Sequence, residues 1–260
     1  MSEAIQEYYA GYDEDARLLS KRGRVEYLTT MRYIERYLKP GARVCEIGAG
    51  TGRYSHAIAR MGYRVDAVEL LEHHIELFRE NTRAGEDVSV VQGDARDLSF
   101  LPDEAYDMTL LLGPMYHLFT EADKHAALSE ALRVTKPGGI LMAAYCVADA
   151  TILEYGFVKG GIAGMIERGL VDPVTFRAAS RPDEVFELHR REDIDRLMAG
   201  FATVRLDYVA TDLYTKHMRR TMEEMDERTF AIYLRYHFSI CTRPDMVGLT
   251  HHSLDIQRKR

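Results

Sequence analysis

The sequence of 260 residues predicts an α/β fold in which helices cover both faces of a doubly wound, mostly parallel sheet. Short apolar segments alternate with amphipathic segments throughout residues 42–147. Strands separated by helices of this length need right-handed crossovers, which align the strands in parallel. A loop containing Gly48, Gly50 and Gly52 follows the first predicted strand directly. This loop therefore lies at the carboxyl edge of the sheet, where α/β folds bind ligands.

Seven segments have the apolar character of strands, and helices are predicted between and around them. The predicted strands are residues 42–47, 63–70, 88–94, 106–113, 140–147, 202–211 and 248–260. The predicted helices are residues 24–38, 53–62, 71–81, 121–135, 191–201 and 222–238. Residues 148–188 break the alternation, and a connection of that length indicates an inserted functional segment.

The composition restricts the class of protein. Apolar residues make up 46% of the chain, enough for one large core, and the formal net charge is −7. Nucleic-acid and membrane-surface binders usually carry a basic surface, so we expect neither partner. The widely spaced Cys45, Cys146 and Cys241 indicate buried thiols rather than a disulfide framework or a zinc site. With no apolar leader and no apolar segment of about 18 residues, we expect a soluble cytoplasmic protein.

The residues around the glycine loop narrow the choice of ligand. A phosphate-binding P-loop ends in Gly-Lys-Ser/Thr, whereas Arg53 and Tyr54 follow Gly52 here. A dinucleotide fingerprint needs its third glycine where Arg53 stands. Glu46, at the end of the strand, would repel a pyrophosphate by about 1 kcal/mol or more. The expected ligand is a nucleoside without phosphates, and a positive centre on it would suit Glu46.

This description fits S-adenosylmethionine (SAM), and the sequence resembles the class I SAM-dependent methyltransferases. The acid-x-Gly-x-Gly-x-Gly motif of that family corresponds to Glu46, Gly48, Gly50 and Gly52. The segments VDAVEL, QGDARDL, LLLGPMYHL and LRVTKPGGIL match later motifs in the family's order. The resemblance implies a Rossmann-like, seven-stranded sheet. It covers residues 24–147 well and residues 190–260 more weakly.

The resemblance also implies a set of cofactor-binding residues. Glu69 would accept hydrogen bonds from the ribose hydroxyls, and Asp94 would take the adenine amino group. Asp97 competes for the adenine role, although it more readily caps the following turn. The full set is Glu46, Gly48, Ala49, Gly50, Gly52, Glu69, Leu70, Asp94, Ala95 and Leu112.

No segment has the character of a linker, so we expect one domain of residues 1–260. Residues 1–40 form an N-terminal helical lid, and residues 41–147 form the SAM-binding core. Residues 148–188 form a substrate cap inserted between the fifth strand and the following helix. Residues 189–260 complete the core.

Methyl transfer from a sulfonium is an in-line displacement, so the protein contributes mainly alignment and desolvation. Base-directed amino methyltransferases carry Asn-Pro-Pro-Tyr at the end of the fourth strand, whereas this chain has Gly113 and Met115. That difference argues against nucleobase methylation. His117 is the candidate general base, and the alternative is a purely structural histidine. Tyr116 either faces the substrate or fills the core.

Aromatic side chains are the candidates for acceptor binding, because their faces can hold a cation or an apolar group. The candidates are Tyr9, Tyr12, Tyr116 and Tyr155. In the lid, one of the basic residues could reach the methionine carboxylate or an acidic substrate, whereas most of them are expected to form a solvated helix face. These basic residues are Arg17, Lys21, Arg22 and Arg24. A metal site is not expected, since the histidines 237, 251 and 252 match no ligand spacing.

The sequence therefore predicts an enzyme that transfers a methyl group from SAM to an O, N or S atom of a small molecule, leaving S-adenosylhomocysteine (SAH). Two alternatives stay open: a methyltransferase acting on RNA or protein, and a non-catalytic SAM-binding regulator. The protein is expected to be a monomer or a homodimer.

Overall fold

The computed structural model describes residues 3–11 and 14–260, and its centre is one mixed sheet. The strands follow one another in the order β3-β2-β1-β4-β5-β8-β7, with β6 paired to β5 beside this path. The strands are β1 Arg43–Ile47, β2 Arg64–Glu69, β3 Val88–Gln92, β4 Tyr106–Leu111, β5 Thr135–Val147, β6 Leu188–His189, β7 Thr203–Ala210 and β8 His252–Lys259.

The strand directions confirm the predicted fold. Strands β1 to β5 pair in parallel, and β8 runs antiparallel between β5 and β7. The seven strands of the main path correspond to the seven predicted segments. The sequence missed β6, because two residues are too few to show a strand periodicity. The parallel strands bring their carboxyl ends, and the loops that follow them, to one edge of the sheet.

Helices cover both faces of the sheet and close two apolar cores. Ile34 and Ile58 pack on one face, and Leu128 and Ile194 pack on the other. The helices are α1 Glu3–Ala10, α2 Glu14–Leu19, α3 Lys21–Tyr37, α4 Arg53–Arg60, α5 Glu72–Asn81, α6 Glu121–Val134, α7 Ala148–Thr151, α8 Ile162–Glu167, α9 Arg191–Met198, α10 Arg219–Glu224 and α11 Glu227–Ile240. The three cysteines are buried and unpaired, as predicted. Within the described ranges, no helix is long and apolar enough to cross a bilayer.

Two helix predictions need correction. Helix α3 begins three residues before the predicted Arg24, because the Ser20 side chain accepts a hydrogen bond from the Gly23 amide and caps the helix. The prediction of a single long helix over residues 222–238 was wrong, because two non-helical residues separate α10 from α11. Asp226 caps α11 by accepting a hydrogen bond from the Thr229 amide at 2.9 Å. The apolar periodicity continues across this break and therefore hid it.

Residues 148–188 form an irregular segment that packs against the β4 loop. The segment contains α7, a π-helical turn Ile152–Val158, α8 and a short 3-10 turn Pro182–Glu184. The Glu187 amide donates to the Tyr116 carbonyl at 2.6 Å. The break in rhythm that the sequence predicted is therefore present. The roles of lid and cap, and the single-domain division, stay predictions.

Candidate functional site

A cavity of about 370 Å³ lies at the carboxyl ends of β1, β2, β3 and β4, and we call it the first cavity. Its floor is the loop between β1 and α4, and its walls are the loops after β2, β3 and β4. Nine of the ten predicted cofactor residues line it. They are Glu46, Gly48, Ala49, Gly50, Glu69, Leu70, Asp94, Ala95 and Leu112.

The tenth residue, Gly52, does not line the first cavity and instead serves helix packing. It has φ +88°, and a Cβ there would lie 2.5 Å from both the His56 ring and the Phe78 ring. Gly48 is constrained from another side, since its Cβ would lie 2.5 Å from Pro114 of the β4 loop. Both glycines are therefore required for close approach, but of the two only Gly48 lines the first cavity.

Glu46 ends β1 beneath the first cavity and is 1% exposed. Burial raises the pKa of its carboxyl group to about 8, and the hydrogen bond from the Ser55 hydroxyl opposes that rise only in part. The carboxyl group is thus largely protonated at neutral pH. A cation placed beside Glu46 would favour the ionised form.

Glu69 ends β2, and backbone amides fix its carboxylate at the cavity wall. It accepts hydrogen bonds from the Gly50 amide at 2.7 Å and from the Leu71 amide at 3.0 Å. Burial would raise the pKa of Glu69, but hydrogen bonds from His74 and these two amides leave it below the ordinary value. The side chain is therefore a pre-oriented anion with acceptor capacity left for a ligand.

Asp94 lies at the first cavity after β3, and Asp97 does not line it. Arg96 binds both oxygens of Asp94, at 3.0 and 2.7 Å, and also binds Asp123 of α6 at 2.9 Å. The Arg96 guanidinium lowers the pKa of Asp94. Asp97 accepts from the Ser99 amide at 3.1 Å, as predicted for a turn cap. The sequence reasoning missed Arg96, which holds Asp94 in place.

Arg53 is a further cavity residue that the sequence reasoning missed. It begins α4, and its buried Nε has no hydrogen-bond partner in the described part of the chain. The predicted basic residues of the lid lie elsewhere: Lys21 and Arg24 approach Glu227 of α11 at 3.8 and 3.4 Å. The signal for Arg53 was its position directly after the glycine motif.

His117 connects the N-terminal helix to the inserted segment. Its Nδ1 lies 2.8 Å from the Val185 carbonyl, so this nitrogen carries the proton and donates it. Its Nε2 then accepts from the Tyr9 hydroxyl at 3.0 Å. Burial lowers the pKa of His117, so the ring is neutral at physiological pH. Both the base role and the structural role are compatible with this geometry.

A second cavity of about 440 Å³ adjoins the first, and Tyr9 and Tyr116 line both. Tyr155 of the inserted segment lines the second cavity only. Burial raises the pKa of Tyr116 well above its usual range, so its hydroxyl group stays protonated. Tyr12 lies outside the residues that the structure describes. The three other predicted substrate residues therefore come together at or beyond the boundary between the cavities.

A buried ion cluster borders the second cavity. Glu26 accepts hydrogen bonds from both terminal guanidinium nitrogens of Arg17, and Asp212 binds His252 Nδ1 at 2.8 Å. Glu26 and Asp212 raise the pKa of His252 to about 10 against the effect of burial, so the ring is cationic. Glu26, Asp212 and His252 also have ligand atoms close enough to share a metal ion. The two carboxylates are already balanced by two cations.

Comparison with known proteins agrees with this geometry. Residues 44–139 match a family model described as a methyltransferase domain. Cypemycin N-terminal methyltransferase of Streptomyces sp is 33% identical over 130 residues, which cover 49% of this chain and 50% of that protein. Demethylmenaquinone methyltransferase of Clavibacter sepedonicus is 31% identical over 118 residues, covering 45% of this chain and 46% of the relative. The chain thus spans about half the length of these curated relatives.

A solved structure extends the similarity of fold to the whole chain. A Thermotoga maritima protein, described as a SAM-dependent methyltransferase and possible histamine N-methyltransferase, superposes with a TM-score of 0.62. The alignment covers 100% of both chains at 20% identity, which is a likeness of fold. Residues 44–139 are thus similar to a methyltransferase domain, and the chain as a whole shares the fold of this solved structure.

Proposed function

We propose that this protein transfers a methyl group from SAM to an O, N or S atom of a small-molecule acceptor. The observation that carries the proposal is the pair of adjoining cavities whose boundary contains Tyr9 and Tyr116. Nine of the ten residues that the family resemblance implies for cofactor binding line the first cavity, and the second has a volume within the usual range for small ligands. The names of the relatives support the reaction class, since both curated proteins are called methyltransferases.

The residues of the first cavity fit SAM at each of its parts. Glu69 would accept from the ribose hydroxyls, and Asp94 would accept from the adenine amino group. The unsatisfied Nε of Arg53 would meet the methionine carboxylate, since a buried guanidinium nitrogen without a partner costs free energy. Glu46 would become ionised beside the positive charges of the ligand.

SAM, when bound, supplies a sulfonium-linked methyl group, which the acceptor's lone pair takes as the carbon–sulfur bond breaks and its electrons stay on sulfur. The acceptor atom then releases its proton. The chain has a route for that proton, because Tyr9 lines both cavities and its hydroxyl donates to the neutral His117. Protonated Tyr116 can orient the acceptor as a hydrogen-bond donor, but it cannot serve as a base.

Isothermal titration with SAM and SAH tests the binding half of the proposal. We expect both ligands to bind, and Glu69→Ala should weaken SAH binding by at least about tenfold, since it removes an acceptor for two hydroxyl groups. Glu76→Gln, an exposed acid on α5, is the matched control and should leave the affinity unchanged. Failure of both ligands to bind the wild-type protein would refute the proposal.

Release of SAH in the presence of small-molecule acceptors tests the transfer half. A screen of amines, phenols, thiols and carboxylic acids should give at least one acceptor whose mass increases by one methyl group. Tight SAM binding with no transfer to this panel, together with methylation of RNA or protein in a cell extract, would refute the small-molecule assignment.

A further inference from the structure

We infer that the acceptor has an apolar, ring-sized body and an anionic group, and that the second cavity binds the anionic group through Arg22, Lys216 and Arg219. This inference rests on the proposed function, in which the second cavity holds the acceptor. It adds the chemical class of that acceptor. The observations that carry it are the charge balance of the cavity wall, its aromatic side, and a buried imidazole with unsatisfied nitrogens.

The charged residues that line the second cavity are the first observation. Glu26 and Asp212 are the acids that line the second cavity, and the buried cluster pairs them with Arg17 and His252. Lys216 lies close enough to Asp212 to contribute to lowering the pKa of that carboxyl group, but the cluster already balances two carboxylates with two cations, so the remaining cations leave the wall with an excess of positive charge. Lys159 approaches Glu154 at 3.7 Å, which accounts for a further charge.

The three remaining cations are Arg22 at the start of α3, Lys216 between β7 and α10, and Arg219, the first residue of α10. Among the described residues, none of their side chains makes an ion pair or hydrogen bond. Arg22 and Lys216 are half-buried, whereas Arg219 is exposed. Half-buried cations facing a cavity lose part of their hydration, and an anion bound between them would restore it through charge-assisted hydrogen bonds.

Another part of the wall of the second cavity is aromatic. Tyr8 packs edge-on against Phe186 with ring centroids 5.3 Å apart, and Tyr9 lies 5.1 Å from Tyr8. Leu188 and Tyr155 add apolar surface to the same cavity. A flat ring fits such a wall through stacking and edge-on contacts. Since Tyr9 also lines the first cavity, this side lies next to the proposed point of transfer.

His251 is the third observation. It lines the second cavity and is 1% exposed, yet neither ring nitrogen has a hydrogen-bond partner in the described part of the chain. Burial lowers the pKa of His251 to about 3, so the ring is neutral and offers one donor and one acceptor. Buried polar groups in folded proteins are nearly always satisfied, so a ligand in this cavity would complete the site.

The test compares charged and neutral probes of the same shape on the SAH-saturated protein. Benzoate, phenyl phosphate and benzamide are titrated by ligand-observed NMR. We expect at least one of the two anions to bind at least about tenfold more tightly than benzamide, the neutral analogue. Tighter binding of benzoate assigns a carboxylate, and tighter binding of phenyl phosphate assigns a phosphate.

Variants then locate the binding site. Arg22→Gln combined with Lys216→Gln should weaken the preferred anion by at least about tenfold while SAH affinity stays unchanged. Lys39→Gln is the control, because Lys39 is exposed and lines neither cavity. If the double variant does not fold, Arg219→Gln replaces it, with a smaller expected loss at this exposed position.

The outcomes separate the two proposals. If SAH fails to bind, the proposed function is wrong. If SAH binds but neither anion binds, or if benzamide binds as tightly as both anions, the anionic acceptor is wrong. Anion binding that the Arg22 and Lys216 changes leave intact would also overturn the assignment, because it would place the anion elsewhere.

Discussion

Glu46 gives the most direct test of how the site is built, because its side chain is both buried and ionisable. The perturbation is Glu46→Gln, which keeps the size of the protonated side chain and an oxygen that can accept from Ser55. In the folded protein the pKa of Glu46 is about 8, against an ordinary value of 4.5. Between these two values the folded state binds more protons than the unfolded state. Stability therefore falls as the pH rises through this range.

The size of the effect follows from the same two pKa values. The largest slope is about 1.4 kcal/mol per pH unit, and it flattens as the pH approaches the folded-state pKa. Between about pH 6 and about pH 8, Glu46 should cost the wild-type protein about 2 kcal/mol of its free energy of unfolding. The Gln variant has no proton to lose at this position. The free energy of unfolding of the variant, relative to that of the wild-type protein, should therefore rise by about 2 kcal/mol between these two pH values.

The assay is urea unfolding of the ligand-free wild-type and variant proteins at these two pH values. Glu76→Gln is the control and should show no pH-dependent difference from wild type. Saturating SAM should reduce the effect, since a cationic ligand favours the carboxylate. A difference between wild type and Glu46→Gln that stays constant within about 0.5 kcal/mol would refute the burial-raised pKa.

Three further predictions follow from particular contacts. Gly52→Ala should lower the free energy of unfolding by about 1–3 kcal/mol in urea, because its Cβ would lie 2.5 Å from two rings and φ is +88°; an unchanged midpoint would contradict the packing role. Asp212→Asn should reduce stability below about pH 9. The raised folded-state pKa of His252 contributes stability to the wild-type protein, and this stability is lost as the pH rises from 6.5 to about 10. Thermal melts in which variant and wild type differ by the same amount at every pH would count against this role of Asp212. With an acceptor in hand, His117→Gln should abolish the acid limb of the kcat profile at unchanged SAH affinity, because wild-type activity falls when the ring is protonated below its lowered pKa. An unchanged profile would make His117 a structural link between Tyr9 and the inserted segment.

The comparison of prediction with structure shows which residues local patterns can place. Glu46, Glu69 and Asp94 are each at or just after the end of a parallel strand, and the topology alone brings such positions to one edge. The order of strands and helices could also be predicted, because the apolar periodicity of each segment indicates both its type and its buried face. The break at Asp226 escaped, since a cap depends on a side-chain hydrogen bond that leaves the periodicity intact.

By itself the sequence determined the α/β fold and the acids that line the first cavity at one edge of the sheet, because these depend on spacing along single elements. Tertiary structure decided the rest. It assigned Gly52 to packing against Phe78, and it placed Arg53 rather than Lys21 at the first cavity. It also built the second cavity from α1, α3, the inserted segment and the loops beside β8. Contacts between residues far apart in the chain, and the pKa shifts that burial causes, arise only when the core closes, so no local pattern contains them.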